Sequence, residues 1–180
     1  PTNEQKHASQ LDLTVAATLP DMDPNDVVGD AVEHHLTFHD GTTRTIYVTD
    51  IETPYPDGKL IVSRTDPDGV ITMVNQSFVE MSGYSEEELL GAPHHILRHP
   101  FMPGPAFKDL WDTVTGGRKW HGYVKNLRRD GGYYWVYATV IANVRNGEIV
   151  GYTSVRRKPS RTQVEACIEL YPTLHEGANA

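Results

Sequence analysis

Trp120-His-Gly-Tyr-Val-Lys-Asn-Leu-Arg-Arg-Asp-Gly-Gly-Tyr-Tyr-Trp135 reads as two strands joined by a tight turn. A two-residue period puts Trp120, Gly122, Val124, Asn126 and Arg128 on one face, with His121, Tyr123, Lys125 and Leu127 on the other. Asp130-Gly131-Gly132 supplies the positive-φ residues that a hairpin turn needs. The β-branched and aromatic run from Tyr133 to Val144 has the composition of a central strand. Upstream lie Arg98-His-Pro-Phe-Met-Pro103 and a helix carrying Phe107, Leu110, Trp111 and Val114. An amide, several aromatics, a histidine and an arginine converge here, which is the inventory of a pocket for a flat ligand with polar edges.

Outward from this segment, the chain predicts two more strands and a cluster of short helices. Leu60–Thr65, the turn Asp66-Pro-Asp-Gly69 and Val70–Val74 form a hairpin. Asn75 opens a short helix that Gly83-Tyr84 breaks, and Ser85-Glu-Glu-Glu88 is a capping box for the next, closed at Gly91. His94–Leu97 is a helical turn stopped by Pro100 and Pro103, and a longer helix spans Gly104–Thr115. Strands Lys119–Arg128, Tyr133–Val144 and Glu148–Arg157 follow, the last two joined at Asn146-Gly147. Thr162-Gln-Val-Glu165 is a second capping box, for a helix with Val164, Cys167, Ile168 and Tyr171 on one stripe.

Charge divides the 180 residues. The net charge of −8 is carried by residues 1–59, with 3 basic against 11 acidic side chains, while residues 60–180 balance at 13 of each. This argues for an acidic extension over 1–55, a domain over 56–172 and a tail over 173–180. Such an extension argues against nucleic acid or an anionic membrane as partner. Within it, residues 1–25 read as a mobile or loosely docked arm, Asp26–His35 as a short helix, and His35–His39 with Thr43–Val48 as a hairpin through Asp40-Gly41. An apolar fraction of 38% and a mean hydropathy of −0.46 describe a soluble protein. The absence of a ~20-residue apolar run or a signal-peptide pattern, with one cysteine, predicts a cytoplasmic setting and no membrane span.

Five antiparallel strands with short helices over one face make an α+β domain, and here the residues resemble the PAS sensor domains. Asn75-Gln-Ser-Phe78, Gly83-Tyr-Ser-Glu-Glu-Glu-Leu-Leu-Gly91 and the Asp130-Gly131 hairpin carry the general pattern. Gly91-Ala-Pro-His94, Arg98-His-Pro100, Met102-Pro103, Trp120-His-Gly122, Lys125-Asn126, Tyr134-Trp-Val136 and Gly151-Tyr152 are similar to the flavin-binding PAS domains of bacterial aerotaxis receptors, over residues 57–172. The resemblance implies FAD held non-covalently, redox or oxygen sensing, and output to a signalling partner or fused effector. It implies a flavin site made from Asn75, His94, Arg98, His99, Phe107, Trp111, Trp120 and Asn126, with Arg156 pointing inward at the N5–O4 edge. Phe101 departs from the subgroup, which has an aspartate there.

Each residue also has a plainer reading. Asn126 is otherwise a strand residue at a bulge, Asn75 an N-cap, Phe107, Trp111 and Trp120 core, Arg98-His99 an exposed loop, and Arg156 part of a solvated basic run. FMN is an alternative cofactor, and a histidine among His94, His95 and His99 ligating haem iron is another. No Gly-rich phosphate loop, nucleophile elbow or catalytic carboxylate pair is present, so no enzyme is expected. The outer sheet face, with Tyr133, Trp135, Tyr137 and Ile141, calls for a cover: a second subunit in a homodimer, a partner, or the extension itself. A cofactor-free contact module is the remaining class.

Overall fold

The computed structural model describes residues 19–177. The expected arm over 1–25 falls outside it except for its last part, which is docked. Met22 is buried and its amide donates to the Thr45 carbonyl, while the Asp21 carboxylate accepts from the Thr45 amide at 2.7 Å. The helix expected over Asp26–His35 is corrected. Pro24–Asp26 is a single 3-10 turn, Gly29 at φ 92° interrupts the chain, and Val32–Thr37 is strand β1. The weak apolar stripe there loses to pairing with β2, Thr43–Val48, in a two-stranded ribbon running from Val32↔Val48 to Thr37↔Thr43.

The main sheet has five strands: β3 (Ile61–Thr65), β4 (Ile71–Val74), β5 (Trp120–Leu127), β6 (Tyr133–Arg145) and β7 (Glu148–Arg157). They are ordered β4-β3-β7-β6-β5 and every pair is antiparallel. Between the two hairpins lie α1 (Gln76–Ser82), α2 (Glu86–Leu89), a 3-10 turn at His94–Leu97 and α3 (Gly104–Thr115). Asn75 caps α1 by accepting from the Phe78 amide, and Ser85 with Glu88 forms a complete capping box on α2. In the β5–β6 turn only Gly131 takes positive φ, at 85°. Gly132 has a different requirement, since a Cβ there would lie 2.8 Å from the Ile51 carbonyl oxygen.

Phe78, Leu89, Ile61, Ile71, Tyr134 and Val136 form the core between helices and sheet, each buried. Part of the opposite sheet face is covered by α4 (Arg161–Gly177), a cover from within the chain that was not among the three first expected. Trp135, at 3% exposure, packs with Val164 and Cys167, and the Tyr171 hydroxyl donates to the Tyr123 carbonyl at 2.6 Å. Helix α4 starts at Arg161, so Thr162 lies inside it rather than capping it, and it runs on through Pro172 into the expected tail. Pro172 forgoes the one hydrogen bond its ring nitrogen cannot give. Farther along β6 the face stays open, with Ile141 exposed.

The β1–β2 ribbon lies on the helical side. Arg44, 3% exposed, donates to the carbonyls of Pro20 and Ile96 and to the Tyr84 hydroxyl, and Phe38 stacks on His95 with centroids 3.9 Å apart. The acidic extension is therefore fastened to the 3-10 turn that roofs the sheet.

Candidate functional site

Between roof and sheet lies a cavity of about 530 Å³, within the roughly 300–1,000 Å³ usual for small-molecule and cofactor sites. Strand alternation builds its floor. Trp120, Val124 and Asn126 point into it from β5, Ala138 and Val140 from β6, and Tyr152, Ser154 and Arg156 from β7. The roof supplies His94, Leu97 and Arg98 from the 3-10 segment and Phe107, Leu110 and Trp111 from α3. Of the nine residues expected at a ligand site, seven meet here: His94, Arg98, Phe107, Trp111, Trp120, Asn126 and Arg156.

Trp120 is set by its neighbours. Its indole N–H donates to Asp109 of α3 at 3.0 Å, and its ring lies over Gly122, where a Cβ would stand 2.3 Å from it. Glycine at 122 is what lets that ring lie flat along its own strand. Trp111 meets Tyr152 edge to face at 5.3 Å.

The polar groups are few. Asn126 is 5% exposed, on the floor. Its cross-strand neighbour Tyr134 is fully buried with a hydroxyl lacking any hydrogen-bond partner among the described residues. Burial pushes that phenol up to about 12, against the pull of the Arg156 and Arg128 charges. The guanidinium of Arg156 is 3% exposed and donates to Ser63 Oγ at 3.1 Å and His94 Nε2 at 2.8 Å, over the Phe78 ring. Since arginine only donates, His94 Nε2 is the acceptor and its proton sits on Nδ1. His94 keeps some surface at the cavity wall yet is densely enclosed. Burial first, then the charge of Arg156, lowers its pKa to about 3.

Arg98 pairs through its backbone with Asn126, donates to the Met102 carbonyl at 2.9 Å and lies 4.0 Å over the Phe107 ring. Burial lowers both arginines to about 10. Among the described residues neither forms an ion pair. Two desolvated cations thus face one cavity, neither paired with a carboxylate among the described residues, an arrangement suited to an anionic or electron-rich ligand.

Two expected residues stand elsewhere. Asn75 lies outside the cavity lining, its amide spent on Phe78 N, Val62 N and the Leu60 carbonyl. His99 is buried on the α4 side, its ring edge-on to Tyr133 and Phe101. Its Nδ1 accepts from the Phe101 amide at 3.0 Å, which leaves the Nε2 proton without a partner among the described residues. Phe101 also turns outward, 6.0 Å from Trp135 and beneath Lys125.

Ser63, Tyr152 and Ser154 line the cavity without having been expected as site residues, although alternation along β3 and β7 places them on the inward face. His39 and Asp40, at the tip of the β1–β2 ribbon, complete the rim. No local pattern announces them, because their position depends on how the extension docks.

Helices roofing a five-stranded antiparallel sheet over a polar-cornered cavity define an α+β domain with a ligand-sized pocket. Residues 71–156 match the model of the PAS fold, and the chain belongs to the PAS family through this domain. It is 44% identical over 131 residues, 73% of the chain, to the aerotaxis receptor of Escherichia coli, of which that stretch is 26%. It is 30% identical over 97 residues, 53% of the chain, to 20% of the nitrogen fixation regulatory protein of Klebsiella pneumoniae. The chain therefore spans about a quarter or less of these relatives. Among solved structures, the light state of the blue-light photoreceptor Aureochrome1 LOV superposes with a TM-score of 0.55 at 26% identity, over 61% of this chain and 88% of that one. A light-oxygen-voltage domain studied with a flavin analogue gives 0.54 at 25%, over 61% and 83%. No helix among the described residues is long and apolar enough to cross a membrane.

Proposed function

We propose that the cavity holds a flavin, as non-covalent FAD, and that the domain reports redox state or oxygen to a signalling partner or fused effector. The observation that carries this reading is the pair of desolvated guanidinium groups without ion-pair partners among the described residues, half-buried Arg98 and buried Arg156, sharing an aromatic-walled cavity with the Asn126 amide. A flavin needs apolar walls for its ring faces and a few placed polar groups for its edges. Trp120, Trp111 and Phe107 give the walls, and Asn126 offers a donor and an acceptor to the pyrimidine edge. Arg98 suits a pyrophosphate, and Arg156 places positive charge where electron density gathers on reduction. Asn75 and His99 support the site from outside it: Asn75 as the cap of α1, His99 by fixing the segment between Arg98 and Phe101.

A bound flavin supplies one- or two-electron redox chemistry. Asn126 and Arg156 are the groups that must answer the change of charge. Lys125, the neighbour of Asn126, points to the other face with its Nζ 4.0 Å over Tyr133 and 4.6 Å over Phe101, beside α4. A shift of β5 at Asn126 is thus passed to the α4 face, where a second copy of the chain or the effector reads it in the cytoplasm. Haem fits less well, because His94 Nε2 is engaged by Arg156 and His95 is stacked under Phe38. The visible spectrum of the purified protein tests the assignment. Oxidised-flavin bands support it, whereas a Soret band or a colourless protein that takes up no added flavin contradicts it.

A further inference from the structure

The cavity is polarised from depth to rim. Asn126 and Arg156 lie at its buried end, and the exposed His39 and Asp40 form part of its mouth. These two residues come from the β1–β2 ribbon, outside the 71–156 stretch that matches the PAS fold. The ribbon tip is tied to the roof. Phe38 N donates to the Thr42 carbonyl at 2.9 Å, Gly41 takes φ 83°, and the Phe38–His95 stack with the Arg44 bond to Ile96 ties the tip to the segment bearing Arg98. Asp40 Oδ1 accepts from both the amide and the hydroxyl of Thr42, at 2.9 and 2.6 Å, leaving Oδ2 free of partners among the described residues. Asp68, from the β3–β4 turn, is a second exposed carboxylate of the lining.

A ligand with its ring at the deep end and a chain long enough to pass Arg98 would meet this carboxylate-bearing rim. A fixed carboxylate accepts hydrogen bonds from vicinal sugar hydroxyls, as acidic residues do for ribose in dinucleotide sites, and it repels a terminal phosphate dianion. We propose that Asp40 sets the choice of cofactor, favouring a flavin dinucleotide, whose far end is a neutral nucleoside, over a mononucleotide ending in phosphate. The inference rests on the flavin reading of the cavity.

The experiment titrates FAD and FMN separately into the flavin-free full chain, following quenching of flavin fluorescence, for the native protein and Asp40→Asn. The substitution keeps the side-chain shape and removes the charge. The native chain is expected to prefer FAD, and in Asp40→Asn the ratio of the FMN to the FAD dissociation constant falls about tenfold. Phe38→Ala, which releases the tip with Asp40 intact, lowers the ratio in the same direction. A native chain that binds FMN as tightly as FAD, or an unchanged ratio in Asp40→Asn, overturns the inference while leaving a flavin site standing. A native chain that binds neither flavin overturns both.

Discussion

The Arg156 guanidinium donates to His94 Nε2 across 2.8 Å, so that histidine is held neutral beside a cation that has no ion-pair partner among the described residues. His94 therefore does not share the positive charge. With flavin bound, that charge favours the anionic reduced form. Arg156→Gln is expected to lower the midpoint potential, by about 30 mV for each ~1.4 kcal/mol of stabilisation lost in a two-electron couple. A spectroelectrochemical titration checks this, and an unchanged potential removes Arg156 from the redox role.

Asn126 is a buried amide on the cavity floor, and its backbone, already bridged to Arg98, is untouched by truncation. Asn126→Ala should weaken flavin affinity about tenfold, the worth of a buried hydrogen bond, while moving the midpoint of urea unfolding little. Titration calorimetry and denaturation on the same preparation separate these effects.

Acid should destabilise the fold through His99. Burial, followed by the nearby charges of Lys125 and His34, lowers its pKa to about 3 from an ordinary value of 6.5. Between those values the unfolded chain binds a proton that the folded chain refuses, so stability falls as pH drops below about 6.5, by up to ~1.4 kcal/mol per unit from this residue. Urea unfolding at pH 7.5 and at pH 5 measures the slope, to which His94, lowered to about 3 as well, contributes in the same window. His99→Asn is expected to remove about half of it and Lys125→Met to leave most of it.

Arg44 fastens the extension to the cavity roof through two carbonyls and the Tyr84 hydroxyl. Arg44→Met strands those acceptors and should cost about 1–3 kcal/mol in urea unfolding. It should also loosen the ribbon tip, seen as faster amide exchange at Gly41 and Thr42. Equal exchange in both proteins would show that the tip is held by the Phe38–His95 stack alone.

What could be read in the sequence follows from which interactions are local. The five main strands announce themselves by alternation and turn chemistry, and the caps at Asn75 and Ser85 by their spacing, because the partners lie within a few residues. The same alternation places Trp120, Asn126 and Arg156 in the cavity, and it held Ser63 and Ser154 as well. Residues 26–35 misled because a weak apolar stripe says nothing of the cross-strand partner at 43–48 that decides them. Arg98 and His99 read as a pair, yet an extended backbone sends neighbours to opposite sides, one into the cavity and one toward α4. The α4 cover over Trp135 and the rim at Asp40 depend on docking between segments far apart in the chain, which no local pattern encodes.

The central claim is that one cavity grips an isoalloxazine ring through Asn126 and a phosphate through Arg98. Titration of flavin-free protein with FAD tests it most directly. The native chain should give saturable quenching at one FAD per chain, and the Arg98→Ala, Asn126→Ala double variant, still folded by circular dichroism, should bind at least tenfold more weakly. Native protein that never saturates, or a double variant that binds FAD as the native chain does, would contradict the account.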